Sequence, residues 1–198
     1  RRGLNRYVKE TYGHMDLRTE RFGCNFKTVG YFAYLTSETS RDTAFYIYMD
    51  MLGHVTHDSF DTWVTGKQNT EQRVQEQYRE LVGCILDAAD FPYESDIKGG
   101  ELEFQQDWGW GDDRDHSYAI PREELVPDKE YSRQEILDFG SRAGILTVYV
   151  MEDTVTPERS ARIMLDIRER FDAAGISFYR MDFVLRYPKP EDGSPWPD

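Results

Sequence analysis

A short aromatic strand, an amphipathic helix and a second strand follow one another twice in this chain, and that order restricts it to an α+β scaffold. Over residues 44–50, Phe45, Ile47 and Met49 alternate with Tyr46 and Tyr48, the period-two pattern of a strand with two unlike faces. A helix is expected over about 70–89, with an apolar stripe of Val74, Tyr78, Leu81, Val82, Ile85 and Ala89. Glu101–Phe104 then reads as a strand. Residues 146–152 repeat the first strand. Residues 157–174 repeat the helix, with Met164, Ile167 and Phe171 toward a core, and Phe178–Tyr187 repeats the closing strand. The expected fold is α+β: an antiparallel or mixed sheet with helices packed on one face, and ferredoxin-like βαβ elements in the second half.

Local signals place the remaining elements. Residues 2–12 read as a helix stopped by Gly13. Strands near 15–22, 29–35 and 44–51 then form an antiparallel meander. Residues 57–66 fit one helical turn or a packed loop. Asn69 with Gln72, Ser132 with Glu135, and Thr156 before Pro157 are helix starts, and Gly175 is a helix stop. Residues 1–187 read as one domain with pseudo-repeated halves, about 1–104 and 132–187, joined by an irregular acidic and aromatic stretch, 105–131. Two small packed subdomains are the alternative. Residues 188–198 hold four prolines and read as a tail.

The formal net charge is −13, from 37 Asp and Glu against 24 Lys and Arg. A field of that sign repels phosphates, which argues against direct nucleic-acid binding and against an anionic membrane surface. No apolar run approaches the ~18 residues of a transmembrane helix. Two cysteines, Cys24 and Cys84, are compatible with one disulfide in an exported protein or with two buried free thiols.

Two clusters are candidate sites. His54, His57, Asp58 and Asp61 would hold a divalent metal if they shared one helical turn, whereas on a strand His54 and His57 point to opposite faces. Trp108, Trp110, Asp112, Asp113, Asp115 and His116 concentrate rings and carboxylates in one loop, suited to a partner's side chain, a sugar or a hard cation. Glu152, Asp153 and Asp50 end aromatic strands with no nucleophile or base placed beside them. No phosphate-cradling, nucleophile-elbow or zinc-protease motif is present, so no cofactor is expected.

Asn5-Arg6-Tyr7-Val8-Lys9-Glu10-Thr11-Tyr12-Gly13, followed by strands and by Met51-Leu52-Gly53-His54-Val55-Thr56-His57-Asp58, resembles small exported or lipoprotein-type bacterial domains of uncharacterised function. The match covers about residues 4–64 and departs from the pattern where His57 separates Thr56 from Asp58. It implies an extracytoplasmic setting, and the Arg1-Arg2 start is compatible with a signal or anchor upstream. The expected function is a non-enzymatic binding or accessory domain whose partner is a protein or small ligand. The alternatives are an acidic inhibitor or nucleic-acid mimic for a basic partner, and a metal-dependent hydrolase.

Overall fold

The computed structural model describes residues 2–25, 29–105 and 117–188. Backbone contacts divide the chain into two units: residues 1–73 with 122–130, and residues 74–121 with 131–198.

In the first unit, helix α1 (Arg2–Tyr12) leads into β1 (Leu17–Asn25), β2 (Gly30–Ser37), β3 (Ala44–Met49) and β4 (Val55–Asp58). The connections are short, so each strand turns back on the last. The sheet order is β1-β2-β3-β4, antiparallel throughout. Alternation sends Ala33, Leu35, Phe45, Ile47 and Met49 to one face, where they are fully buried with Leu4 and Tyr12 of α1. The Tyr12 and Phe45 rings meet edge-on at 5.1 Å, and Phe45 meets Phe60 at 5.1 Å and 87°, the geometry that ring quadrupoles favour. A single π-turn, Asp61–Thr65, follows β4.

Helix α2 (Gln68–Leu86) starts one residue before Asn69. Asn69 is therefore inside the helix rather than its cap, and its amide donates to the carbonyls of Asp42 and Ala44. The turn into α2 is made by Lys67, held at φ 59°. Its ammonium donates to the carbonyls of Arg122 (3.0 Å) and Leu125 (2.7 Å).

Asp42 is the polar centre of this unit. Its side chain is 2% exposed. It accepts two hydrogen bonds from Arg73 at 2.7 Å, one from Thr70 at 2.9 Å and one from the Asp128 amide at 2.8 Å. Asp128 returns the contact, accepting from the Asp42 amide and the Ser40 hydroxyl. A buried carboxylate is tolerated because every one of these donors faces it.

In the second unit the buried row of α2 is Val74, Tyr78, Val82 and Leu86. Leu81 and Ile85 are only half-buried, and Ala89 lies exposed beyond the helix end. Strand β5 spans Ser95–Leu102, beginning well before Glu101. Phe104 leaves the strand and makes an isolated parallel bridge to Ile120. Ser132 caps α3 (Arg133–Ala143) through a complete capping box with Glu135. β6 (Gly144–Met151), α4 (Pro157–Ala174) and β7 (Arg180–Arg186) form a βαβ unit, with β6 and β7 parallel and β5 antiparallel on the other side of β6. Thr156 caps α4, Pro157 opens it, and Gly175 at φ 64° closes it. Ile163, rather than Met164, joins Ile167 and Phe171 in the core; Met164 is 37% exposed.

The fold is α+β, with an antiparallel four-stranded sheet and a mixed three-stranded one. The two strand–helix–strand copies differ in topology. β3 and β5 belong to different sheets, whereas β6 and β7 are neighbours in one.

Candidate functional site

The face of the first sheet opposite its core is built from the same alternation. Phe32 and Tyr34 of β2 pair directly with Tyr48 and Tyr46 of β3, and His57 of β4 pairs with Tyr48. Cross-strand neighbours on one face stand close enough to interact. The Tyr34 and Tyr46 rings are 4.8 Å apart, Tyr46 and Tyr48 stack at 6.1 Å, and His57 lies on Tyr48 at 4.5 Å and 15°. On the other side, Phe32 extends over Gly23 of β1, where a Cβ would lie 2.7 Å from the ring. The Arg21 guanidinium sits 5.7 Å from the Phe32 ring centre. Beyond it, the Glu20 carboxylate accepts from Arg18 at 2.7 Å and from Thr36 at 3.2 Å.

Phe32, Tyr34, Tyr46 and Tyr48 are half-buried and His57 is exposed. Neighbouring rings lie against one another, Tyr46 and Tyr48 stacked and the Phe32–Tyr46 and Tyr34–Tyr46 pairs tilted. Burial, followed by the neighbouring Tyr46 and Glu20, pushes the Tyr34 hydroxyl above its ordinary value. The face therefore presents aromatic rings with the Arg21 guanidinium beside them and the Arg18–Glu20 pair at its margin. Such a face suits contact with a partner.

The expected metal cluster does not gather. His57 and Asp58 are adjacent on β4, so they face opposite sides of the sheet. Asp58 turns inward and accepts from the hydroxyls of Tyr7 (2.6 Å) and Tyr12 (2.7 Å) and from the Phe60 amide. Burial first, and then Asp58, push the Tyr12 hydroxyl far up. His54 sits 3.1 Å from Asp50, which also accepts from the amides of Leu52 and His54. Asp61 is exposed in the π-turn. Among the described residues no three His, Cys, Asp or Glu side chains are grouped to hold a metal.

Trp108, Trp110, Asp112, Asp113, Asp115 and His116 lie outside the described residues. Cys24 on β1 and Cys84 on α2 are free thiols, and both are exposed; neither a disulfide nor a buried thiol pair describes them. Glu152 is held by Arg159, whose hydrogen bond keeps the carboxyl below its ordinary value. The part of the aromatic face that composition hides is its register. Tyr46 and Tyr48 are legible as an outward pair, but Phe32, Tyr34 and Arg21 join them only once β1, β2 and β3 are aligned.

No family model matches the chain, and no curated protein matches it. Among solved structures the chain is similar to a DUF5037 family protein from Ruminococcus gnavus, at 13% identity, over 93% of this chain and 73% of that one, with a TM-score of 0.26.

Proposed function

We propose that the chain is a non-enzymatic binding domain whose contact surface is the outer face of the first sheet. The observation that supports this is the row Phe32, Tyr34, Tyr46 and Tyr48 with Arg21 at its edge. Tyr and Arg dominate the binding energy of protein interfaces, because they bring large area and directed polar tips at small rotamer cost. Here the rings already pack against one another, so a partner meets a surface that has less left to order. The partner class is a protein or peptide.

The test is selection of displayed peptides against the wild-type chain and against a chain carrying Tyr34→Ser, Tyr46→Ser and Tyr48→Ser. Peptides enriched by the first and lost on the second are expected. Retained protection of the Ala33 and Ile47 amides from hydrogen exchange shows that the variant is folded. Peptides that bind both chains alike would remove the face from the proposal.

An extracytoplasmic setting is part of the same proposal, and its support is the likeness of residues 4–64 to small exported domains. The exposed Cys24 and Cys84 give the test: a membrane-impermeant thiol reagent should label them on intact cells. Labelling seen only after lysis would refute that setting.

One observation favours a second reading. The first unit carries 12 Lys and Arg against 13 Asp and Glu, a net −1, while the second carries 12 against 24, a net −12. Nearly all of the excess negative charge belongs to residues 74–121 and 131–198, a concentration that suits a basic partner. Binding through that unit would weaken steeply with added salt, and binding through the aromatic face would not.

A further inference from the structure

At the end of the first unit where β1 meets β2 and β3 meets β4, apolar side chains point outward. Val29 is 65% exposed, Met51 53% and Leu52 81%. Among the described residues they are three of the four exposed large apolar side chains of this unit, the fourth being Val126. The backbone brings them together. A Cβ on Gly30 would lie 2.4 Å from the Met49 carbonyl oxygen and 3.9 Å from the Asp50 Cα, so Val29 stands beside the Asp50–Gly53 turn. Helix α1 starts at the same end, because a Cβ on Gly3 would lie 2.4 Å from the Gly53 carbonyl oxygen. This places Arg2 at the apolar tip and Arg6 one helical turn further along α1; both are exposed. The acid of that turn, Asp50, is occupied by the Leu52 and His54 amides and by the His54 ring.

Two features suggest that the apolar side chains belong to a surface and are not incidental. Val29 adopts φ 49°, a conformation that costs a β-branched residue and that Gly or Asn would take more easily. The unit that bears the tip is also almost neutral, so the repulsion expected of the whole chain is concentrated in the other unit.

We propose that this end of the first unit docks on an anionic lipid surface, with Leu52, Met51 and Val29 entering the boundary between headgroups and acyl chains and Arg2 and Arg6 facing lipid phosphates. A second protein is the poorer fit. Three side chains fall far short of the ~800 Å² per partner of a stable interface. A bilayer, by contrast, accepts protruding loop tips without a complementary pocket, and anionic lipid rewards nearby cations. Docking of this kind is peripheral: no helix among the described residues is long and apolar enough to cross a membrane. It is independent of the aromatic face.

Cosedimentation of the full chain with vesicles tests it. Wild type should bind vesicles of mixed phosphatidylcholine and phosphatidylserine at low salt. M51E/L52E should bind at least about tenfold more weakly, since the apolar transfer is lost. R2E/R6E should lose binding to the mixed vesicles while leaving any binding to pure phosphatidylcholine unchanged. Leu165→Glu, at a 59% exposed position on α4, should have no effect. Should M51E/L52E not fold, Leu52→Trp decides: brominated lipid should quench the added fluorescence. No vesicle binding by wild type, equal binding by M51E/L52E, an equal loss in Leu165→Glu, or no quenching of the added Trp would overturn the proposal. So would a dimer in sedimentation equilibrium that M51E/L52E dissolves, since the tip would then serve a second copy of the chain.

Discussion

The two units are built from the same local vocabulary and end in different chemistry. β3 and β6 are both strands of alternating burial ahead of an amphipathic helix. β3, however, is bracketed by tight turns and pairs antiparallel with β2 and β4 before α2 begins. β6 has no hairpin after it. It crosses through α4 and returns as the parallel strand β7. Connection length therefore decides topology where strand composition does not. The surfaces diverge as well. The first unit is near neutral, with aromatic rings on its outer sheet face. The second carries a net −12 and dresses its surface with ion pairs such as Lys98–Asp87 and Arg79–Glu101. Such exposed pairs contribute little stability, so the second unit depends on its apolar packing, whereas the first adds a buried charged node.

The largest expected effect tests that contrast. Asp42→Ala removes the carboxylate that holds Arg73, Thr70 and the Asp128 amide, and should destabilise the first unit by about 3–5 kcal/mol, the range for breaking a buried ion pair. Hydrogen exchange should rise first at β2 and β3. Burial raises the Asp42 carboxyl, but the Arg73, Asp128 and Thr70 hydrogen bonds outweigh it and hold it below its ordinary 3.8. Its contribution is then complete above that value and is lost as the pH falls through the depressed folded one. Wild type should accordingly lose stability in acid more steeply than Asp42→Ala. Equal acid limbs would show that the node is not the distinguishing feature of this unit.

Next in size is a test of the apolar side of the comparison. Gly100 of β5 lies under Val82 of α2, and a Cβ there would be 2.5 Å from Val82 Cγ2 and 3.0 Å from Val82 Cβ. Val82 is fully buried and has no flexible end to move away. Gly100→Ala should destabilise the second unit by about 1–3 kcal/mol, as overpacking does, although alanine suits a strand interior better than glycine. A denaturant midpoint unchanged or raised would mean that α2 does not press on β5.

Gly100 also explains what the amino-acid order concealed. Ser95–Gly100 has weak strand propensity and a glycine pair, so only the end of β5 was readable; the strand forms there because glycine lets α2 come close. Several elements with local punctuation are legible, although the Asn69–Gln72 signal is not one of them, because Asn69 lies inside α2. Ser132 with Glu135, Thr156 with Pro157, and Gly175 each satisfy orphan backbone groups within one turn of themselves. Periodicity alone does not choose between Ile163 and Met164, because both are apolar and only packing separates them. The attachment of residues 122–130 to the first unit left no local mark, since it runs through Asp128 and Asp42, which are far apart in the chain. The candidate surface was half legible: alternation exposes Tyr46 and Tyr48, but register supplies the rest.

Smaller effects come from a device both units share, a tyrosine hydroxyl donating to a carboxylate. In the first unit Tyr7 and Tyr12 both donate to Asp58. Tyr12→Phe deletes one of those donors from a buried ring and should cost about 1 kcal/mol in denaturant unfolding, the net worth of one such bond. A cost near zero would mean that Tyr7 and the Phe60 amide are enough to satisfy Asp58.

In the second unit Tyr93 donates to Asp166 at 2.9 Å, where Arg170 also donates at 3.0 Å. Burial first, and then the Asp166 hydrogen bond, push the Tyr93 hydroxyl up to about 12. A raised tyrosine stabilises the fold while it stays protonated. Its contribution is therefore whole below the ordinary 10.0 and fades as the pH rises toward the folded value. Because Arg170 shares the carboxylate, Tyr93→Phe should cost less than Tyr12→Phe, about 0.5 kcal/mol. The difference in tyrosinate absorbance between wild type and Tyr93→Phe should contain one ionisation displaced upward, and Asp166→Asn should bring it back toward the ordinary value. A Tyr93 that titrates normally in wild type would show that the second unit leaves this pin open to water, and the parallel between the two units would then reduce to their strands alone.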